Sequence, residues 1–66
     1  MKISVNGVPR DIEDQETIAA LVLHLRLEPA MILVEHNGLA LHRGEWSAAH
    51  LQENDRIEIL QVAAGG

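Results

Sequence analysis

The dipeptide Asn-Gly occurs twice in this chain, at Asn6-Gly7 and at Asn37-Gly38, and each copy lies between two short apolar segments. Both residue types tolerate a positive φ, so Asn-Gly is the strongest local signal of a two-residue type I′ hairpin. Pro9 lacks an N–H for a β-ladder, which places it near the start of its strand or on a sheet edge. The chain is therefore predicted to form two hairpins, with strands over residues 2–6, 8–12, 31–35 and 39–42.

A single amphipathic helix is predicted between the two hairpins. Apolar residues recur there at the i, i+3, i+4 and i+7 spacing of one helix face, at Ile18, Leu21, Val22 and Leu25. The acidic segment 13–16 would complement the positive end of the helix dipole, and Pro29 should end the helix near Leu27. Leu23 lies about 140° around the helix from Ile18, so we expect it to be exposed.

The last third of the chain predicts one further strand. Residues 43–50 look irregular, with a helical turn around 46–49. Asn54-Asp55 is predicted to form a tight turn, because Asn tolerates a positive φ. In residues 56–62, Ile57 and Ile59 alternate with Glu58 and Leu60, as expected for a strand with one face in the core.

This order of elements predicts an α+β fold of the β-grasp type. The first and last strands can lie side by side at the centre of a mixed sheet of four to five strands, and the helix can cover one face. The predicted domain spans residues 1–62, followed by a flexible tail over residues 63–66 that ends in two glycines. Glycine has no Cβ, so such a tail could enter a narrow channel.

Composition excludes several functional classes. The net charge is −5 and there is one aromatic residue, which argues against a nucleic-acid partner. There is no cysteine, and no apolar run approaches the ~20 residues of a membrane span. With no signal pattern at the start, these features predict a cytoplasmic protein. The scattered acidic residues are interpreted as a solvated surface, and the alternative is that some of them face a basic partner.

No catalytic or metal site is predicted. His24, His36, His42 and His50 match no zinc motif and no helical i, i+4 ligand pair, so they are interpreted as surface residues. No nucleophile–base pair is evident either, which predicts that the chain is not an enzyme. Trp46 is predicted to lie in the core, because the chain has no other aromatic residue.

Two leucines are predicted to form an exposed patch. If Ile32 and Val34 face the core, Leu33 faces outward, and the same alternation on the last strand turns Leu60 outward. The third and last strands are neighbours in a β-grasp sheet, so the two leucines could lie together. Exposed apolar patches on small domains often mark interaction surfaces.

Several of these segments together resemble the ThiS/MoaD family of ubiquitin-like sulfur carriers, over nearly the whole chain. The resemblance depends on Val5-Asn6-Gly7, Thr17-Ile18, Leu21-Val22, Val34-Glu35-His36-Asn37-Gly38, Arg43 before Trp46, Asn54-Asp55-Arg56-Ile57-Glu58-Ile59, and Val62 with the final Gly65-Gly66. One departure is Asn54, where the family usually has Gly.

The resemblance implies a chemistry and a set of partners. A ubiquitin-activating-like (ThiF-like) adenylyltransferase would use ATP and Mg²⁺ to adenylate the carboxylate of Gly66. A sulfur donor protein would convert the adenylate to a thiocarboxylate, and a ThiG-like thiazole synthase would take the sulfur for thiamine biosynthesis. Gly65 and Ala64 would pass through the enzyme's channel, Leu33 and Leu60 would bind the partners, and no cofactor would be bound.

Three alternatives remain open at this stage: a molybdopterin-type sulfur carrier, a ubiquitin-like protein modifier joined to lysines through Gly66, and a β-grasp interaction module with an inert tail.

Overall fold

The computed structural model describes residues 1–62. Its elements are β1 (Lys2–Val5), β2 (Val8–Asp11), α1 (Ile18–His24), β3 (Ile32–His36), β4 (Leu39–Leu41) and β5 (Arg56–Gln61), with 3₁₀ turns at Pro29–Met31 and Arg43–Glu45. Each predicted strand is present within one residue of its predicted ends. The predicted helical turn around 46–49 is present, since the N–H of Ala49 donates to Trp46 O at 3.4 Å, and it directly follows the second 3₁₀ turn.

The five strands form one mixed sheet in the order β2-β1-β5-β3-β4. β1 and β5 are parallel neighbours, and the other pairs are antiparallel. β5 therefore lies at the centre of the sheet, as predicted, and β2 with its Pro9 lies at an edge. Helix α1 covers one face, so the architecture is the predicted α+β β-grasp roll.

Both Asn-Gly pairs form the predicted turns, and their asparagines also bind the central strand. Asn6 and Gly7 have φ values of 51° and 82°, and Asn37 and Gly38 have 51° and 86°, as a type I′ turn requires. The side chain of Asn6 accepts from the N–H of Ile59 (2.7 Å) and donates to its carbonyl (3.2 Å). Asn37 Oδ1 accepts from the backbone N–H of β5 at 2.7 Å. Asparagine thus supplies both the turn conformation and a side-chain amide that continues the ladder.

Helix α1 is shorter than predicted. It ends at His24, not near Leu27, because Arg26 adopts a positive φ of 58°. The N–H of Leu27 then donates to Val22 O, which closes the helix in the manner of a Schellman motif. Pro29 opens the next 3₁₀ turn and does not itself stop the helix.

The start of the helix is capped by a side chain, a feature that the apolar spacing did not predict. Thr17 Oγ1 accepts from the N–H of Ala20 at 3.1 Å, and the first turn contains no acidic residue. The acidic segment 13–16 lies before this cap, and one of its members, Glu16, is buried.

The core lies between the helix and the inner face of the sheet. Its buried apolar residues are Ile3, Ile18, Leu21, Val22, Ile32, Val34, Trp46, Leu51, Ile57 and Ile59. Trp46 is in the core as predicted, and its indole N–H has no hydrogen-bond partner within residues 1–62. Leu23 is 72% exposed, which confirms its predicted position off the buried stripe.

Candidate docking surface and the cluster beside it

Leu33 and Leu60 lie directly opposite each other on the outer face of the sheet. They are register partners of β3 and β5, and they are 56% and 53% exposed. Side chains of directly opposed residues have Cβ atoms about 4.5–5.5 Å apart, close enough to form one continuous apolar surface. The predicted orientation of both leucines is confirmed, and their role in binding a partner stays a prediction. We call these two residues the leucine pair.

Two glutamates lie next to the leucine pair on the same face. Glu35 and Glu58 are also register partners of β3 and β5, one step of the alternation away, and both are half-buried. The sequence pattern predicts solvated glutamates at both positions and does not indicate that they oppose each other. Strand alternation puts each glutamate on the face of its neighbouring leucine, but only the register of two strands distant in sequence brings the glutamates together.

A groove of about 470 Å³ borders Leu60 near the end of β5. Its apolar lining comes from Val5, Leu25, Leu27 and Ile59. Beyond β5, the N–H of Val62 donates to Met31 O at 2.8 Å, so the last described residue is held to the 3₁₀ turn that precedes β3. The leucine pair therefore lies beside the point from which residues 63–66 continue.

A buried carboxylate joins the opposite end of β3 to the turn before β5. Asp55 Oδ2 accepts from His36 Nε2 (2.6 Å) and from the N–H of Gln52 (2.9 Å), and Asp55 Oδ1 accepts from Asn37 Nδ2 (3.0 Å). Burial alone would raise the pKa of the Asp55 carboxyl. The hydrogen bonds from Asn37, His36 and Gln52, together with electrostatic attraction to the His36 ring, lower the pKa by more, so it lies below its ordinary value.

This cluster corrects two interpretations of the sequence. His36 is not a plain surface histidine, because only 21% of its side chain is exposed and its ring binds Asp55. Asp55 and Glu16 are buried acidic residues, not parts of a solvated surface. Both are buried with partners: Glu16 binds His24 Nδ1 at 3.0 Å, at the side of a concavity of about 600 Å³ near the end of β2.

Within residues 1–62, no group of three or more His, Cys, Asp or Glu side chains is arranged to hold a metal ion. The predicted site residues Gly66, Gly65 and Ala64 lie outside the described residues.

Comparison with known proteins decides the family. The sequence model of the ThiS family matches residues 3–66, nearly the whole chain and all of the segments named above. The chain belongs to the ThiS family. Over the part that the structure describes, this ThiS-family chain has no helix long and apolar enough to cross a membrane.

Solved structures and a curated relative agree with the family. The crystal structure of a thiamine biosynthesis protein (ThiS) from Geobacter metallireducens matches with a TM-score of 0.87 at 28% identity, over all of both chains. An NMR structure of a thiamine biosynthesis protein from the same organism matches with a TM-score of 0.78 at 30% identity, over all of this chain and 88% of that one. A protein named thiazole synthase, from Magnetococcus marinus, is 38% identical over 66 residues. That match includes all of the ThiS-family chain but only 20% of the relative's length.

Proposed function

We propose that this chain is a sulfur carrier of thiamine biosynthesis and that Gly66 is the residue that carries the sulfur. The observation that carries the proposal is the family match, which runs through residue 66 and so includes the final glycine pair. The two ThiS structures share the fold of residues 1–62. The chain acts in this proposal as a protein substrate of other enzymes and not as a catalyst.

The chemistry explains why a partner enzyme is needed. In a protein that ends at Gly66, the terminal carboxylate is a poor acyl donor. Attack of one carboxylate oxygen on the α-phosphorus of ATP would release pyrophosphate and leave an acyl adenylate. Hydrosulfide supplied by a donor protein would then attack the carbonyl carbon, AMP would leave, and loss of the S–H proton would give the thiocarboxylate. ATP and Mg²⁺ belong to the activating enzyme in this scheme.

The position of the leucine pair supports a docking role. Gly66 follows Leu60 by six residues, and an extended chain advances at most about 3.3–3.6 Å per residue, so Gly66 reaches no further than about 20 Å from Leu60. An enzyme that binds the leucine pair could therefore receive Gly66 in an active site within that distance. Similarity to a segment of a thiazole synthase supports a ThiG-like enzyme as a second partner.

The main test follows the mass of the chain. We expect incubation with a ThiF-like adenylyltransferase, ATP, Mg²⁺ and a sulfur donor to replace one oxygen by sulfur. Deletion of Gly66, or addition of one residue after it, should abolish that change without altering the thermal midpoint. Ladders of larger species would indicate a protein modifier, and an unchanged mass would contradict the proposal.

A second test concerns the leucine pair. Leu33→Asp or Leu60→Asp should raise the KM for adenylation about tenfold or more with kcat unchanged, since truncation of central apolar contacts often costs over 1 kcal/mol. Leu23→Asp is the matched control, because Leu23 is also an exposed leucine but lies on the helix side. An equal rise in KM for all three variants would show that charge alone, and not docking at this face, is responsible.

A further inference from the structure

We propose that the outer face of the sheet recognises a partner surface that places an Arg or Lys side chain between Glu35 and Glu58 while an apolar group covers the leucine pair. The inference rests on the proposed function, because it specifies the docking surface of the enzymes that act on the chain. It names the chemistry of that surface: an apolar group opposite the leucine pair and a basic group opposite the adjoining glutamates.

The first argument is that the two carboxylates lie opposite each other although their repulsion destabilises the isolated chain. Like charges at directly opposed positions of neighbouring strands destabilise a sheet. Glu35 and Glu58 occupy such positions and are half-buried, so their repulsion is less screened than that of fully exposed charges. An apolar or amide side chain at either position would avoid this repulsion.

The second argument is that the chain does not neutralise the two glutamates itself. None of the four ion pairs within residues 1–62 includes Glu35 or Glu58. The nearest basic residue along β5 is Arg56, and its guanidinium lies over the second hairpin turn, where Nη2 is 3.9 Å from the position of a Cβ on Gly38. On the same outer face of the sheet, Lys2 Nζ lies 3.8 Å from Asp11 Oδ1, so this lysine pairs with a different carboxylate. Within residues 1–62 neither glutamate has an ion-pair partner, so a basic group of a binding protein can take that position.

The third argument is geometric. The glutamates adjoin the leucine pair on the same two strands, so a partner that covers the leucines excludes water from the carboxylates as well. A guanidinium can donate hydrogen bonds to two carboxylates through its several N–H groups, and a Lys ammonium can bridge them as a point charge. Charge complementarity of this kind raises the association rate and selects among partners.

The experiment measures binding without chemistry. The chain is immobilised, and the association and dissociation rates of a ThiF-like adenylyltransferase and of a ThiG-like thiazole synthase are recorded without ATP at low and high salt. Variants are Glu35→Lys and Glu58→Lys, with Glu28→Lys as the matched control. Glu28 makes no side-chain cap hydrogen bond and lines the helix side, so its replacement changes the net charge equally but at another face.

We expect Glu35→Lys and Glu58→Lys to weaken binding of at least one of the enzymes about tenfold or more, mainly through slower association, and to remove most of the salt dependence. Glu28→Lys should change binding less than threefold, as roughly expected for a distant charge. Thermal unfolding provides a readout of the repulsion: Glu35→Gln and Glu58→Gln should raise the midpoint of the isolated chain while weakening binding.

The outcomes separate this inference from the proposed function. Binding that is weakened equally by all three lysine variants, or by none, overturns the inference and leaves the carrier function intact. Selective weakening without any thiocarboxylate formation supports the docking surface and contradicts the carrier function. Absence of binding to both enzymes by the parent chain overturns the inference as well.

Discussion

Replacement of Asp55 by Asn is the most informative test of how the two halves of the sheet are held together. The carboxylate accepts three hydrogen bonds, whereas an amide has a single acceptor oxygen and must turn its NH₂ group toward a donor. If the NH₂ group faces Asn37, that bond is lost, and the bonds from His36 and Gln52 survive without the charge.

The size of the effect follows from these contacts. A hydrogen bond to a charged group contributes about 1.5–3 kcal/mol and a neutral one about 0.5–1.5 kcal/mol. Added independently, one lost bond and two weakened bonds would cost about 3.5–6 kcal/mol. Because bonds that share one carboxylate are not additive, we expect a smaller loss of about 2–3 kcal/mol in the free energy of unfolding. A domain of this size has a net stability of only about 3–5 kcal/mol. We therefore expect Asp55→Asn to lower the thermal midpoint by roughly 10–20 °C.

The sharper measurement is the pH dependence of the difference in unfolding free energy between the parent and Asp55→Asn. Because the pKa of Asp55 is lowered in the folded state, its ionised form contributes stability above the unfolded pKa of about 3.9, and the contribution is lost as the pH falls through the folded pKa. Urea titrations of parent and variant should therefore differ at neutral pH and converge once the pH falls below the folded-state pKa of Asp55.

The matched control is Asp14→Asn, since the Asp14 side chain is 90% exposed and should cost less than about 0.5 kcal/mol. Equal midpoints for parent and Asp55→Asn at neutral pH would refute the reasoning. A difference that stayed constant below the folded-state pKa of Asp55 would show that the charge of Asp55 is not the cause.

Two further predictions concern the core and the first hairpin. Leu21→Ala should cost about 2–4 kcal/mol, because Leu21 is 1% exposed, whereas Leu23→Ala should cost less than about 1 kcal/mol; comparable losses in urea titrations would mean that the helix is buried on a second face. Asn6→Gly keeps the positive φ but removes both hydrogen bonds to Ile59, so we expect a loss of about 1–2 kcal/mol, and Asn6→Ala should lose roughly 1 kcal/mol more from backbone strain. An Asn6→Gly chain as stable as the parent would show that the turn conformation alone matters.

Local patterns were sufficient for most of the fold. The Asn-Gly pairs located both hairpins, since a positive φ at two successive residues is a property of those residues themselves. Alternation assigned the leucine pair to the outer face, and helical spacing separated buried Leu21 from exposed Leu23. The end of the helix was less predictable, because Arg26 adopts a conformation that its residue type does not favour.

The candidate site was only partly predictable. Alternation placed each glutamate beside a leucine, but the pairing of Glu35 with Glu58 depends on the register of β3 against β5, which no turn between them fixes. The same holds for Asp55, whose donors come from the end of β3 and from the loop before β5. Nothing in the residue type of an aspartate distinguishes a solvated carboxylate from one that joins two segments.

The sequence by itself thus determined which segments are strands, which is the helix, which side of each faces the core, and which family the chain resembles. These properties depend on residue types and on periods of a few residues, which act within one segment. Only the tertiary structure showed two further sets of contacts between distant segments: the opposed Glu35 and Glu58, and the donors around Asp55. These contacts depend on strand order and register. Both arise from packing the whole core at once and are not encoded in any single segment of the chain.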